Sequence, residues 1–205
     1  MNIELEKLKN FKFVVLSYDG SDRLATIEER LSGIDYEIHY GINKDNINID
    51  KLSQDGYTGF GDAKNFTQEN FACTFGHIQI IEKYQNIENL VILEDDVYFK
   101  YENIQSFIDG FNELPNDWDI YYGGFVNLYN NLSPNYSPNL HKITMERIGG
   151  TNCYMYSKNF KDKYLNMQKT PNTMNPIADA AHWFLIHTGI NAYASLSQML
   201  PQINK

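Results

Sequence analysis

A chain of 205 residues with 42% hydrophobic residues, 15 Tyr and 12 Phe buries about 70% of the surface its unfolded form exposes, which excludes a predominantly disordered protein. Its net charge of −9 and isoelectric point near 5.0 exclude a basic nucleic-acid surface, and no apolar run reaches the ~20 residues of a membrane span. Cys73 and Cys153 are too few for a disulfide framework or a four-thiolate zinc site, and read as two buried thiols in a reducing compartment. Acids and lysines precede the first short apolar stretch, unlike the order of a signal peptide. A cytoplasmic protein is therefore expected, and the sequons at Asn65, Asn131 and Asn135 carry little weight.

In chain order, Phe13-Val14-Val15-Leu16 is a continuous apolar run, the mark of a strand covered on both faces. A turn-forming cluster over 17–22 follows, then Leu24, Ile27 and Leu31 at helical spacing, with Ser21 or Asp22 as cap and Gly33 as stop. Residues 36–40 read as the next strand, so strand, helix and strand predict a parallel pair with a right-handed crossover. The polar stretch 43–69, rich in Asn, Asp and Gly, reads as a long loop. A helix over 70–84 carries Phe71, Phe75 and Ile78 on one stripe, and Leu90-Val91-Ile92-Leu93 is a second buried strand. A third helix is marked by Ile104, Phe107, Ile108 and Phe111 and closed by Pro115. Residues 120–122 form a strand stopped by Gly123-Gly124, and the Pro- and Asn-rich segment 127–141 reads as a mobile loop. A strand over 153–157 and a helix over 159–167 complete the pattern, with a mixed tail from Pro171. With neither internal repeat nor linker, residues 1–205 are expected to form one α/β domain.

The chemistry gathers at four places. Glu94-Asp95-Asp96 follows directly on four apolar residues, at the carboxyl end of a sheet strand, where open parallel sheets bind ligands. Adjacent carboxylates about 5 Å apart repel by roughly 3 kcal/mol at an effective dielectric near 20. That is tolerated where a cation or full hydration relieves it. Hard oxygen ligands suit Mg²⁺ or Mn²⁺, which bridge phosphate oxygens; the competing reading is a solvated acidic turn. Ser17 and Asp19, with Asp22-Arg23, end the first strand, and an arginine there meets a phosphate or sits exposed on a helix. Within the second helix stand Gly76, which costs about 1 kcal/mol against Ala unless something approaches closely, and His77, a ligand or a satisfied core histidine. Asp179 and His182, three residues apart, share a face if that stretch is helical. They are candidates for a general base or a late metal ligand, against a capping Asp with an incidental His.

Taken together, these segments resemble glycosyltransferase family 25, the lipooligosaccharide and collagen β-galactosyltransferase group. The family's opening strand followed by Asp-Arg is matched by Val14-Val15-Leu16-Ser17 and Asp22-Arg23, and its Ala-Cys-x-x-Ser-His helix by Ala72-Cys73-Thr74-Phe75-Gly76-His77, with Gly76 where Ser is usual. Its strand ending in Glu-Asp-Asp is matched by Ile92-Leu93-Glu94-Asp95-Asp96-Val97, and its Leu-Pro-x-x-Trp-Asp segment by Leu114-Pro115-Asn116-Asp117-Trp118-Asp119. Gly150-Thr151-Asn152-Cys153-Tyr154-Met155-Tyr156-Ser157 corresponds to its Gly-Thr-x-x-Tyr-x-x-Ser segment. Pro176-Ile177-Ala178-Asp179 corresponds to its Pro-x-Asp motif, one residue longer.

The resemblance implies a GT-A type, Rossmann-like fold with a mostly parallel central sheet. It further implies a UDP-sugar donor of a hexose (galactose or glucose), Mn²⁺ or Mg²⁺, and inversion at the anomeric carbon. Carried onto this chain, it places Ser17, Asp19, Arg23, His77, Glu94 and Asp95 around the donor and Asp96, helped by Asp95 or Glu94, on the metal; Asp95 is alternatively a ribose contact. Asp179 becomes the candidate catalytic base, and His182 a second base or a metal ligand. Tyr129 and Tyr136 on the 127–141 segment are candidate sugar platforms that exclude water. The acceptor implied is a glycan, glycolipid or glycoprotein hydroxyl, with a neighbouring subunit of a homo-oligomer as one source of acceptor contacts. A non-catalytic glycan- or nucleotide-binding relative is the alternative. A receiver-type phosphoacceptor domain ranks last, since Asp19 and Asp22 are not adjacent.

Overall fold

A computed structural model describes residues 3–57, 67–98, 104–127, 135–144, 148–170, 185–186 and 188–196. Eight strands form one sheet: β1 (Lys12–Ser17), β2 (Tyr36–Tyr40), β3 (Leu90–Glu94), β4 (Ile120–Asn127), β5 (Asn135–Ser137), β6 (Leu140–Ile143), β7 (Ile148–Tyr156) and β8 (Ala192–Ser195). Their order is β2-β1-β3-β7-β4-β8-β6-β5. Strand β1 pairs in parallel with β2 on one side and β3 on the other, as the strand–helix–strand pattern predicts. Strand β7 runs antiparallel between β3 and β4, β8 is parallel to β4, and β6 lies antiparallel to β8. Among the described strands only β6 and β7 run against the rest.

The period-2 geometry of β1 divides the core. Val14 and Leu16 face α4 (Gln68–Lys83) and α6 (Lys158–Gln168), packing with Phe71, Phe75, Ile78, Tyr154 and Phe160. Phe13 and Val15 face the opposite layer, with Leu8 at the end of α1 (Ile3–Leu8), Ile27 in α2 (Ile27–Arg30), and Ile104 and Phe107 in α5 (Ile104–Asn112). The α/β reading is therefore what the structure shows, with a helical layer on each face. Burying β1 and β3 on both faces is what their unbroken apolar runs require.

The helix α4 starts at a capping box, with the Thr67 hydroxyl accepting from Asn70 N–H while the Asn70 side chain accepts from Thr67 N–H. It needs Gly76: a Cβ there would lie 2.6 Å from Leu16 Cδ1 and 3.1 Å from Cδ2. The close approach expected of this glycine is thus the packing of α4 on β1.

Four segments differ from expectation. The crossover after β1 is a 3₁₀ turn over Asp22–Thr26 followed by the short α2, and Leu24 is only half-buried. The 43–69 stretch is not all loop: Asn43 caps a 3₁₀ turn and Asn48 caps α3 (Ile49–Gln54), each accepting from a backbone N–H, and Leu52 is buried. The asparagines that signalled a loop act as helix caps. Gly123-Gly124 does not end β4. The strand continues through a register shift, and the glycine at 123 answers to close packing, since a Cβ there would meet Cys153 Sγ and the Phe107 ring at 2.8 Å. The 127–141 segment is not all loop: from residue 135 it enters the β5–β6 hairpin at the sheet edge, where Tyr136, 49% exposed, meets Tyr193 edge-on at 5.1 Å. Tyr129 lies outside the described residues.

Restoring the family's serine tests the α4–β1 contact. Gly76→Ser is expected to lower stability by about 1–3 kcal/mol despite its better helix propensity, because both Leu16 methyls crowd the site. In thermal denaturation, adding Leu16→Ala should recover part of that loss. Strict additivity of the two changes would show that the contact is not the cause.

Candidate active site

The chain order β2-β1-β3 means that successive connections leave β1 in opposite directions, which opens a crevice at the carboxyl ends of β1 and β3. A cleft of about 560 Å³ lies there. Its walls come from the end of β1 (Leu16, Ser17, Tyr18), the segment after β2 (Gly41 to Asp45), the first turns of α4 (Glu69, Ala72, Cys73) and the end of β3 (Glu94, Asp95), with Arg23 beside them. Of the predicted site residues, Ser17, Arg23, Glu94 and Asp95 line it. Asp19 is exposed in the turn after β1 and is not among the lining residues. Asp179 and His182 lie outside the described residues.

The three acids have different surroundings. Asp95 is 5% exposed, and both of its oxygens are engaged: Ser17 Oγ and Ser21 Oγ donate to Oδ2 at 2.7 and 2.8 Å, and Arg23 Nη1 donates to Oδ1 at 2.8 Å. Burial pushes the Asp95 carboxyl up, but the Ser17, Arg23 and Ser21 hydrogen bonds and the Arg23 charge outweigh it and hold the group below the usual aspartate range. Behind it, the buried Arg30 donates to the carbonyls of Asp95 (2.6 Å), Val97 (3.0 Å) and Arg23 (2.6 Å), tying the acidic turn to the 3₁₀ turn.

Glu94 turns toward α4. Its Oε1 lies 3.2 Å from His77 Nε2 and accepts from the Thr151 hydroxyl. Burial raises the Glu94 carboxyl, but His77 and Thr151 outweigh it and the net shift is downward. His77 is 1% exposed, and its Nδ1 faces the Tyr154 hydroxyl at 3.0 Å. It is a satisfied histidine, and it is also coupled to the acidic triplet. Asp96 is 7% exposed with Oδ2 3.7 Å from Arg23 Nη1, beyond hydrogen-bond range.

Sequence reasoning missed Arg30, Ser21 as an Asp95 partner, and Thr151 with Tyr154 behind the Glu94–His77 pair. Scarcity is one usable signal, since arginine occurs only at 23, 30 and 147. Lys44, which also lines the cleft, was hidden by reading its segment as loop. Cys153 is buried as expected; Cys73 is not, because it stands on the cleft side of α4.

Acids at the carboxyl end of a parallel strand, beside a cleft with Arg23 and Lys44 in its wall, stand where open α/β sheets bind their ligands. The family model for glycosyltransferase family 25 (LPS biosynthesis protein) matches residues 11–191, and the chain belongs to that family. It is accordingly a glycosyltransferase, acting between a sugar donor and a glycan acceptor. No curated protein matches. Among solved structures, similar ones include a glycosyltransferase involved in the glycosylation of the major capsid of PBCV-1. It is 11% identical, with 88% of this chain and 78% of that chain covered and a TM-score of 0.45. Another is A197 from STIV, 14% identical, with 95% and 94% covered and a TM-score of 0.45. Neither carries the assignment. Among the described residues no helix is long and apolar enough to cross a membrane.

The Asp95 clamp has a pH signature. A depressed folded-state carboxyl contributes stability above the ordinary aspartate value of about 3.9 and loses it as pH falls through the folded value. In urea denaturation with EDTA present, Asp95→Asn should be about 2 kcal/mol less stable than the parent at pH 7. That gap should shrink as pH drops below about 4. A gap that does not change with pH would show that the Asp95 charge is not what holds the turn.

Proposed function

We propose that the protein is an inverting, metal-dependent glycosyltransferase that moves a hexose, galactose or glucose, from a UDP-sugar to a hydroxyl of a glycan, glycolipid or glycoprotein. Family membership supplies the transferase class. The observation that carries the finer reading is the acidic end of β3, where Glu94 and Asp95 line a cleft whose size suits a nucleotide-sugar and Asp96 follows them in the turn. The parallel β2-β1-β3 half with its crevice supports a GT-A type fold.

The donor set fits a hard divalent ion. Every candidate ligand in the triplet is a carboxylate oxygen, and Mg²⁺ or Mn²⁺ is commonly held by one or two carboxylates together with substrate phosphates. With both Asp95 oxygens engaged by Ser17, Ser21 and Arg23, we assign the ligand role to Asp96 and give Asp95 the task of fixing the turn that presents it. Once bound, the ion would offset charge on the departing diphosphate.

The chain's own residues do the rest. Arg23 and Lys44 stand in the cleft wall, paired there with Asp95 and Glu69 at 2.8 Å each, and their remaining N–H donors are available to an anionic diphosphate. Tyr18, 47% exposed at the rim, offers a ring face to the base. Ser17 and Ser21 hold Asp95 rigid, so the acidic turn does not need to reorganise when the donor arrives. Inversion requires one group to accept the acceptor hydroxyl's proton as its oxygen attacks the anomeric carbon, and we assign that to Asp179, with His182 as its alternate.

Thermal protection tests this reading. UDP at about 100 times its dissociation constant stabilises a single-site binder by about 2.7 kcal/mol. That protection is expected with Mn²⁺ or Mg²⁺ present, and to vanish in EDTA or in Asp96→Ala. Equal protection in EDTA would remove the metal role. UDP release from UDP-galactose or UDP-glucose then separates an enzyme from a non-catalytic binder, which releases none.

A further inference from the structure

Cys73 and His77 stand one helical turn apart on α4, on the same face, and Glu94 comes to meet them from the end of β3. One ligand atom from each of the three lies within 4.8 Å of the others. We propose that Cys73, His77 and Glu94 form a second cation site, separate from the carboxylate site at Asp96 and selective for a borderline transition metal of the Zn²⁺ class.

The donor chemistry points that way. Thiolate, imidazole and carboxylate together are a zinc-type set, whereas Mg²⁺ and Mn²⁺ favour oxygen ligands. The geometry is nearly assembled. Zinc bonds of about 2.0–2.3 Å at tetrahedral angles place neighbouring donor atoms roughly 3.3–3.7 Å apart. His77 Nε2 and Glu94 Oε1 are already 3.2 Å apart. Closing the remaining distance requires a shift of about 1 Å in the side chain of Cys73, which is exposed on the cleft side of α4.

An outer shell is also in place. Tyr154, fully buried on β7, faces His77 Nδ1 at 3.0 Å, so that Nδ1–H can donate to the phenol oxygen while Nε2 points toward Glu94. Thr151 donates to Glu94 and fixes its carboxylate. Two of three ligands are therefore oriented before any ion arrives. Three protein ligands leave a fourth position open, and with Cys73 and Glu94 lining the cleft, that position is reached from the cleft. Binding consumes the His77–Glu94 contact and releases the Cys73 thiol proton. The site uses the metal alone and does not depend on the nucleotide-sugar reading of the cleft.

Cobalt(II) reports on it directly, because a thiolate ligand gives sulfur-to-cobalt charge-transfer absorption in the near ultraviolet. Titrating the reduced, full-length protein with Co²⁺ under anaerobic conditions is expected to produce that band at one equivalent, and Zn²⁺ to displace it. Cys73→Ser, a change at an exposed position, should abolish the band and weaken Zn²⁺ binding, read with a chromophoric chelator, by more than about 100-fold. Tyr154→Phe should weaken Zn²⁺ by about 10–100-fold, the usual cost of losing an outer partner. Asp96→Asn should leave the band intact, since that acid belongs to the other site. No band in the parent protein, or an unchanged band in Cys73→Ser, would overturn the proposal. Loss of the band in Asp96→Asn would overturn the separation of the two sites.

Discussion

A carboxylate that is 5% exposed has to be matched by donors, or it destabilises the fold that buries it. Asp95 is matched by three groups from the 17–23 segment: the Ser17 and Ser21 hydroxyls and the Arg23 guanidinium. This joins the ends of two parallel strands, β1 and β3, whose paired register stops at Leu16↔Glu94. Arg30 repeats the join on the backbone, satisfying carbonyls of the acidic turn and of the 3₁₀ turn with one side chain. Ser17, Arg23 and Asp95, which line the crevice, therefore already bond one another across the two strand ends.

That constraint explains why the elements around it look weak in isolation. The crossover from β1 to β2 is a 3₁₀ turn and a single turn of α-helix, neither of which is stable alone. Ile27 and Leu31 anchor it in the core, and Arg30 pins it to the carbonyls. On the opposite wall, α4 approaches β1 closely enough that a Cβ at Gly76 would collide with Leu16. A Cβ at Gly41 would lie 3.2 Å from the same leucine. One leucine at the cleft floor therefore sets the distance of both the helix and the segment after β2. His77, one residue along from Gly76, reaches Glu94 as a consequence of that packing.

The strands buried on both faces were legible because a continuous apolar run has few alternative placements, and Leu90 to Leu93 read correctly into its acidic end. The place of the site followed from the same run, because open parallel sheets bind ligands at the carboxyl ends of their strands, where the acids fall. What the sequence did not disclose were features whose local signal is ambiguous. Asn43 and Asn48 carry the same composition whether they cap helices or line a loop, and only the buried Leu52 separates the two. Gly123-Gly124 signals a stop by propensity, but long-range packing against Phe107 and Cys153 makes it a passage. The Asp95 clamp was half visible: Ser17 and Arg23 were named from their position after β1, whereas Ser21 and Arg30 depend on how tightly the turn winds. Thr151 and Tyr154 reach the site from a strand some 60 residues away, as the 57-residue separation of Thr151 from Glu94 shows, and no local pattern announces that.

Three adjacent carboxylates at a strand end coexist here because the backbone sends them to different partners. At about 5 Å and an effective dielectric near 20, each neighbouring pair repels by roughly 3 kcal/mol, which competes with a typical charged hydrogen bond of about 1.5–3 kcal/mol. Glu94 meets that with His77 and Thr151, and Asp95 with two hydroxyls and an arginine. Asp96 stands 3.7 Å from the same arginine that Asp95 holds at 2.8 Å, so it shares a cation already committed elsewhere. It is the acid to which the proposed metal role is given. A cation bound at Asp96 would also relieve the repulsion on Asp95 without displacing its donors. Local electrostatics thus separates the members of one acidic motif: Glu94 ties β3 to helix α4, Asp95 locks the crevice, and Asp96 sits beside the arginine that Asp95 holds.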